Sequence, residues 1–481
     1  MIERAFVEFV VPPDGLVLRW GVWLGAAAFL AAALFLRRRL AGRDPYPALR
    51  RLYANPVVSS LRAAMAAGLI ALTAACWLGP ASAGLNPGAA ALWGLWWPAL
   101  AFLPFLVGRG FCAVCPVMAL GTWRRSVGSL RLPLPRSLAG TGFLPAALVF
   151  LAFGAASHLF LIEQRPWAAA RFILLMFAVV VVLLLAFEEW VWCSRLCPVG
   201  AIQASLARFA WLRSSPKPPP QLCRLGLTPD SPEPLCSFCG DCWRGLGRPP
   251  AFSVRPPLSA GDGAALFPGE LLLMSVLLAH VLFELLTTCD PVRAYLLQIE
   301  RAMIVYVPLG APPPWTAGLS LQALLAGGTL LAAAAVAGLR PLLAHAFNAE
   351  SARLAPGQAD RFGAAQLPLI AAAYAGFHVP SVWLAAPVLR RFLSLLAGGS
   401  WSDLPPLLGA EVPVGTFLVL RLSLLALGLG SSWRSLGRVR DALPGSPELQ
   451  ERLRAERLYA LILAAGLALL YLAPNTEADP C

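Results

Sequence analysis

The sequence predicts an all-α, polytopic integral membrane protein of about ten transmembrane helices carrying one loop-rich insert. Three observations lead there. Of the 481 residues, 58% are apolar and 13% charged, and the mean hydropathy is +0.69; a soluble domain has about 45–50% apolar and about 25% charged residues. The apolar residues gather into about ten runs, each long enough to cross a bilayer. The arginines fall between those runs, mostly on alternate sides. This composition excludes a disordered chain, and the length excludes a small disulfide scaffold.

The first run, Leu16–Leu36, ends in Arg37-Arg38-Arg39. It is longer than the apolar core of a signal peptide and no convincing cleavage site follows, so it reads as a retained helix with its C-terminal end in the cytoplasm. Runs follow at Ser60–Pro80, Gly88–Val107, Ala139–Ile162 and Phe172–Trp192. Five more lie at Leu266–Thr288, Gly318–Leu339, Ala364–Val388, Pro413–Gly430 and Leu458–Leu472. Alternating sides from the first run puts Arg109, Arg124, Arg125, Arg131 and Arg136 inside, with Arg195 through Arg255 and Arg434 through Arg457. Outside loops hold only pairs such as Arg165 and Arg171, Arg293 and Arg301, or Arg390 and Arg391. This is the positive-inside pattern of a bacterial inner-membrane protein, with both termini outside. The net charge of +13, arginine apart from Lys217, is thereby topological and calls for no nucleic acid. Residues 1–108 form N-terminal transmembrane helices. Residues 109–264 combine transmembrane helices with the insert, and 265–481 form a C-terminal helical bundle. Trp93, Trp96, Trp97, Trp190 and Trp192 suit interfacial belts.

Eight of the eleven cysteines lie between Cys112 and Cys242. One motif reads Cys112-Ala113-Val114-Cys115-Pro116, and another Cys193-Ser194-Arg195-Leu196-Cys197-Pro198. Each begins just past the cytoplasmic end of an apolar run. Cys223 and then Cys236, Cys239 and Cys242, at successive x2 spacing, follow in the proline-rich polar stretch from Cys193 to about Gly263. A C-x2-C-x2-C loop wraps three corners of a [4Fe–4S] cube, and the fourth ligand often comes from a distant cysteine followed by proline. Eight thiols thus suffice for two clusters. In one pairing Cys236, Cys239 and Cys242 join Cys197 or Cys115, leaving Cys112, Cys193, Cys223 and the remaining Cys-Pro cysteine for the second; spacing alone leaves the pairing open. Four-cysteine zinc is the rival, although three cysteines at x2 spacing suit a cube better. A cytoplasmic location disfavours disulfides. Cys76 reads as a buried small side chain, and Cys289 and Cys481 both fall outside.

Over about Pro98–Arg248 these motifs resemble the membrane iron–sulfur proteins with paired C-x3-C-P motifs and a ferredoxin-like segment. That group includes the NapH-type quinol dehydrogenase subunit of periplasmic nitrate reduction, the C-terminal part of NosR-type activators and the related polyferredoxins. The resemblance implies cluster ligands at Cys112, Cys115, Cys193, Cys197, Cys236, Cys239 and Cys242, and electron transfer between quinol and a partner redox protein. The chain departs from the pattern in three places. Its first motif is C-x2-C-P, its ferredoxin-like segment is reduced, and the helical region after Leu266 has no counterpart in it.

Of the four histidines, His158, His280 and His378 fall inside apolar runs and His345 near a cytoplasmic end. Polar side chains inside a membrane are functional candidates. His280 and His378 are the pair that could hold haem b; there is no C-x-x-C-H motif for covalent haem. Glu188 and Glu189, or Glu284 one turn beyond His280, could take a proton from a quinol, and Glu163 with Arg165 could flank its headgroup. Interfacial charges are the plainer reading of all of these.

The sequence thus reads as an electron carrier, an oxidoreductase subunit passing electrons between membrane quinone and a partner redox protein through two [4Fe–4S] clusters. Two rivals stand beside it. One is a redox-dependent assembly or regulatory factor for a metalloenzyme. The other is a transporter or structural membrane protein with a zinc-stabilised loop, which the sparse intramembrane charge disfavours.

Overall fold

The structure, a computed structural model, describes residues 57–120, 141–187, 191–210, 212–215, 251–254, 266–292, 315–347, 358–381, 414–441 and 447–473, with a few single positions near 130 and 295. The expected helix over Leu16–Leu36 lies outside the described residues, as do Glu188, Glu189, Cys223, Cys236, Cys239, Cys242 and Cys481.

Hydrocarbon offers no partner for backbone polar groups, so a spanning chain must satisfy them within helices. Eight helices among the described residues are long and apolar enough to cross a membrane. These are α1 (Val57–Leu78), α2 (Pro87–Val107), α5 (Pro166–Ala186), α7 (Glu270–Thr288), α8 (Trp315–Ala346), α9 (Gln358–Phe377), α10 (Val414–Asp441) and α11 (Pro447–Leu472). Between α2 and α5 lie the short α3 (Gly110–Val114) and the 17-residue α4 (Leu144–Phe160). After α5 comes α6 (Pro198–Leu206). The fold is the predicted all-α one.

Helix ends differ from the apolar runs where local chemistry intervenes. The run expected to reach Trp192 stops at Ala186, because Phe187 turns extended (φ −101°, ψ 153°). There the N–H groups of Leu130 and Leu132 donate to the carbonyls of Leu185 and Ala186, at 2.8 and 2.9 Å, filling acceptors that a helix end leaves open. Helix α5 begins with Pro166 at its first position, where the missing N–H loses nothing.

One apolar core runs from Ala101 through Phe150, Leu206, Leu277 and Leu369 to Tyr471, so the N- and C-terminal helices pack together. The starts of α4 and α7 are locked side by side. Phe143 N–H donates to the Pro268 carbonyl at 2.8 Å, and a Cβ on Gly142, which sits at φ +57°, would collide with that carbonyl. Just past α6, Arg208 clasps Glu270 at the head of α7 with two bonds of 2.7 and 2.6 Å, and Phe267 N–H adds a third at 2.8 Å. Both side chains are buried. Arg208→Ala leaves a buried carboxylate without its cation, which costs about 3 kcal/mol or more; a lower unfolding temperature in detergent is the expected result.

Two short strands, β1 (Leu212–Ser215) and β2 (Ala251–Val254), pair antiparallel from Leu212 opposite Val254 to Ser215 opposite Ala251. They bring together the two ends of the segment that carries the last four cysteines of the insert, and β1 lies against α2.

Candidate metal centre

The two Cys-Pro motifs fold alike. Helix α2 ends at Gly108, α3 makes one turn, and Cys115 then leaves helical geometry (φ −54°, ψ 139°) before a new helical segment starts at Pro116. After α5 the chain makes one turn over Trp192–Leu196, Cys197 turns extended (φ −70°, ψ 108°), and α6 starts at Pro198. Proline suits the first position of each helix. The second motif has one residue more between its cysteines, and its turn is correspondingly wider, a π-turn closed by Cys197 N–H to the Trp192 carbonyl at 2.7 Å.

The cysteine before each proline caps the helix that follows. Gly200 N–H donates to Cys197 Sγ at 3.3 Å, and the N–H groups of Val117 and Met118 point at the Cys115 thiol. Arg62 of α1 donates from Nε to the Ala113 carbonyl at 2.7 Å and so fixes the loop between Cys112 and Cys115. Cys112 Sγ donates to Gln203 Oε1 of α6 at 3.5 Å, linking the first motif to the second.

Cys112, Cys115, Cys193 and Cys197 converge, and every pair among the four lies within electrostatic reach. Their environment is apolar. Cys115, Cys193 and Cys197 pack against a cluster of Val117, Val180, Leu184 and Trp192. Trp192 is buried there instead of sitting in an interfacial belt, because its turn tucks under the site. Burial pushes the Cys115 and Cys193 thiols well above their ordinary range, and the neighbouring thiolates push them further. Burial raises Cys197 to about 11, with the Gly200 N–H and the Arg109 cation pulling the other way. Four thiolates cannot share this pocket without compensating positive charge.

Arg109 supplies part of it. The side chain is 4% exposed, donates from Nη2 to the Cys193 carbonyl at 3.4 Å, and bonds the Cys112 thiol. Burial disfavours its cation, but the thiolates of Cys112, Cys197 and Cys193 favour it and prevail. Gly200 makes room for it: a Cβ there would stand 3.1 Å from Arg109 Nη2 and 3.5 Å from Cys197 Sγ. By sequence alone Arg109 is one more inside charge. Its place three residues before Cys112 was the available signal, but a position in sequence carries no burial. Gln203 was likewise missed.

Among the described residues no three His, Cys, Asp or Glu side chains close tightly enough to hold a single metal ion. A four-iron cube takes one thiolate at each iron, and its potential is set by nearby charge and by hydrogen bonds to sulfur. The donor set, the buried cation and the N–H bonds to sulfur all fit such a group. The other members of the pairings considered from spacing, Cys223, Cys236, Cys239 and Cys242, lie outside the described residues.

The pair expected to hold haem lies elsewhere. His280 on α7 meets the Phe150 ring edge-on at 5.4 Å, and His378, at the end of α9, meets Tyr374 and Phe377 at 4.7 and 4.9 Å. Arg165 lies over the Trp167 ring at 5.9 Å, and Glu163 accepts from Ser157 Oγ at 3.3 Å. Cys76 is buried as expected, and the Cys289 thiol donates to the Leu285 carbonyl at 3.2 Å.

Fold and site together define an all-α integral membrane protein in which four cysteines converge at one end of the helical bundle. The family model of a 4Fe-4S binding domain matches residues 89–135 and 169–219, which contain both Cys-Pro motifs and α6. The match supports an iron–sulfur cluster in this chain and, with it, iron–sulfur electron transfer. No curated protein and no solved structure matches the chain.

Proposed function

We propose that the protein is a membrane electron carrier that passes single electrons between the quinone pool and a partner redox protein through two [4Fe–4S] clusters. The observation that carries this reading is the convergence of Cys112, Cys115, Cys193 and Cys197 within residues matched by the 4Fe-4S binding domain. These four hold the first cluster. Cys223, Cys236, Cys239 and Cys242 are left for the second, and the β1–β2 pairing ties the ends of their segment beside α2. A bound [4Fe–4S] cluster supplies one-electron chemistry at a potential that its surroundings tune. The arginine distribution favours a cytoplasmic site in a bacterial inner membrane.

Anaerobic purification in detergent tests the reading. About eight iron and eight sulfide per chain are expected, with about half of each remaining when Cys236, Cys239 and Cys242 are replaced by alanine. Zinc without sulfide would end it. A reduced quinol analogue added to the loaded protein is expected to bleach the cluster absorption, and no bleaching at any quinol concentration would remove the quinone from the proposal.

A further inference from the structure

A second group of chemistry-bearing side chains lies at the opposite end of the bundle. Helices α4 and α7 start together at the cysteine end, where Phe143 meets Pro268 and Arg208 clasps Glu270. They run in parallel, so their C-terminal turns lie about 20 Å away at 1.5 Å per residue. Three ionisable residues meet there. His158 Nε2 of α4 is 3.1 Å from Glu284 Oε1 of α7, and His280 Nδ1, one turn earlier on α7, is 3.7 Å from the same oxygen. Glu163, just past α4, lies within electrostatic reach of both Glu284 and His158, and accepts from Ser157.

The group forms a line with an inner and an outer end. Glu163 is exposed, whereas His158, Glu284 and His280 are only partly so. At the inner end His280 Nδ1 is buried without a hydrogen-bond partner, because 3.7 Å is too long for one. It faces Gly154, where a Cβ would stand 3.9 Å from it and 3.4 Å from Thr329 of α8. From α9 the group within electrostatic reach of His280 is His378. Two histidines and a carboxylate inside hydrocarbon are costly to keep, and one ion pair would need only two of them. His280 Nδ1 and His158 Nε2, both buried without a hydrogen-bond partner, face the same Glu284 oxygen, and Glu163 beside them is exposed; titratable groups set in that order are what a proton path requires.

We propose that His280, Glu284, His158 and Glu163 take the protons from a membrane quinol and release them to water at the face opposite the cysteine site. This rests on the quinone reading above. Oxidation of one quinol to quinone breaks two O–H bonds and frees two electrons. The electrons leave singly to the iron–sulfur acceptor. Each proton moves from a quinol hydroxyl to the His280 imidazole, from its Nδ1 on through Glu284 and His158, and out at Glu163.

Infrared difference spectra of the protein in a lipid film test this, perfused alternately with oxidised and reduced ubiquinone analogue. A carboxyl band that changes with quinone redox state is expected. It should disappear in Glu284→Gln, persist shifted in Glu284→Asp, and survive in protein stripped of iron. In the loaded protein Glu284→Gln should slow cluster reduction by quinol about 100-fold or more, the scale of a lost proton acceptor, while reduction by dithionite stays unchanged. Unaltered band and rate in Glu284→Gln of full iron content would overturn the relay and leave the quinone reading standing. Should Glu284→Gln lose its iron, the surface variant Glu163→Gln decides in the same way. No spectral response to quinone in the wild type would overturn both.

Discussion

Cys197→Ala is expected to strip the first cluster from the protein while leaving membrane insertion intact. Cys197 has three tasks at once. It is a thiol of the four-membered group, it caps α6 by accepting the Gly200 N–H, and its own N–H closes the π-turn on Trp192. Alanine keeps the last and loses the first two. The lost cap is worth about 1 kcal/mol, which the extensive core around α6 absorbs, since Ala201, Ile202, Ala204 and Leu206 are all buried in it. The lost thiolate leaves one iron without a protein ligand. About four iron and four sulfide per chain should therefore vanish, with unchanged yield in the membrane fraction. Full iron content in that variant would remove Cys197 from the ligand set. Cys115→Ala should behave alike, because Cys115 occupies the equivalent place before Pro116.

Much of this was legible in the sequence. Spanning helices declare themselves because hydrocarbon tolerates little else, and nine of the predicted runs coincide with described helices, if the 17-residue α4 is included. The cysteine motifs were legible because iron needs sulfur and tight turns need proline. Which cysteines share a pocket was not legible. Cys112 and Cys193 are far apart in the chain, and they meet because α2 and α5 end at the same level of the bundle. That is a tertiary fact with no local signature. The first motif, one residue shorter than the second, looked like a departure from the pattern, yet a π-turn in the second takes up the difference and leaves the two motifs equivalent. Trp192 and Arg109 were misread for a common reason. An aromatic residue or an arginine at a helix end is ordinarily interfacial, and only packing reveals that these two are buried beside the thiols.

Arg109→Gln is expected to lower the potential of the first cluster. Four thiolates leave a bound [4Fe–4S] group negatively charged, and each electron it accepts adds to that charge. A buried cation beside it favours the reduced form; removing the cation favours the oxidised form and the midpoint falls. At an effective dielectric of about 20, unit charges about 8 Å apart interact by about 2 kcal/mol, which for a one-electron couple corresponds to about 90 mV. Glutamine keeps a donor for the Cys193 carbonyl, removes the charge together with its bond to the Cys112 thiol, and leaves all four thiols in place, so iron content should hold. Gly200→Ala gives an independent reading of the same effect, since its Cβ would stand 3.1 Å from Arg109 Nη2 and displace the guanidinium without deleting it. Its shift should have the same sign and be smaller. Redox titration followed by electron paramagnetic resonance measures both, and a midpoint unchanged in Arg109→Gln with full iron would mean that this cation serves the fold alone. The direction matters for the proposed carrier. A higher midpoint brings the first cluster closer to the quinone couple, so a buried arginine that raises it would ease electron exchange with quinone at the cost of reducing power toward the partner.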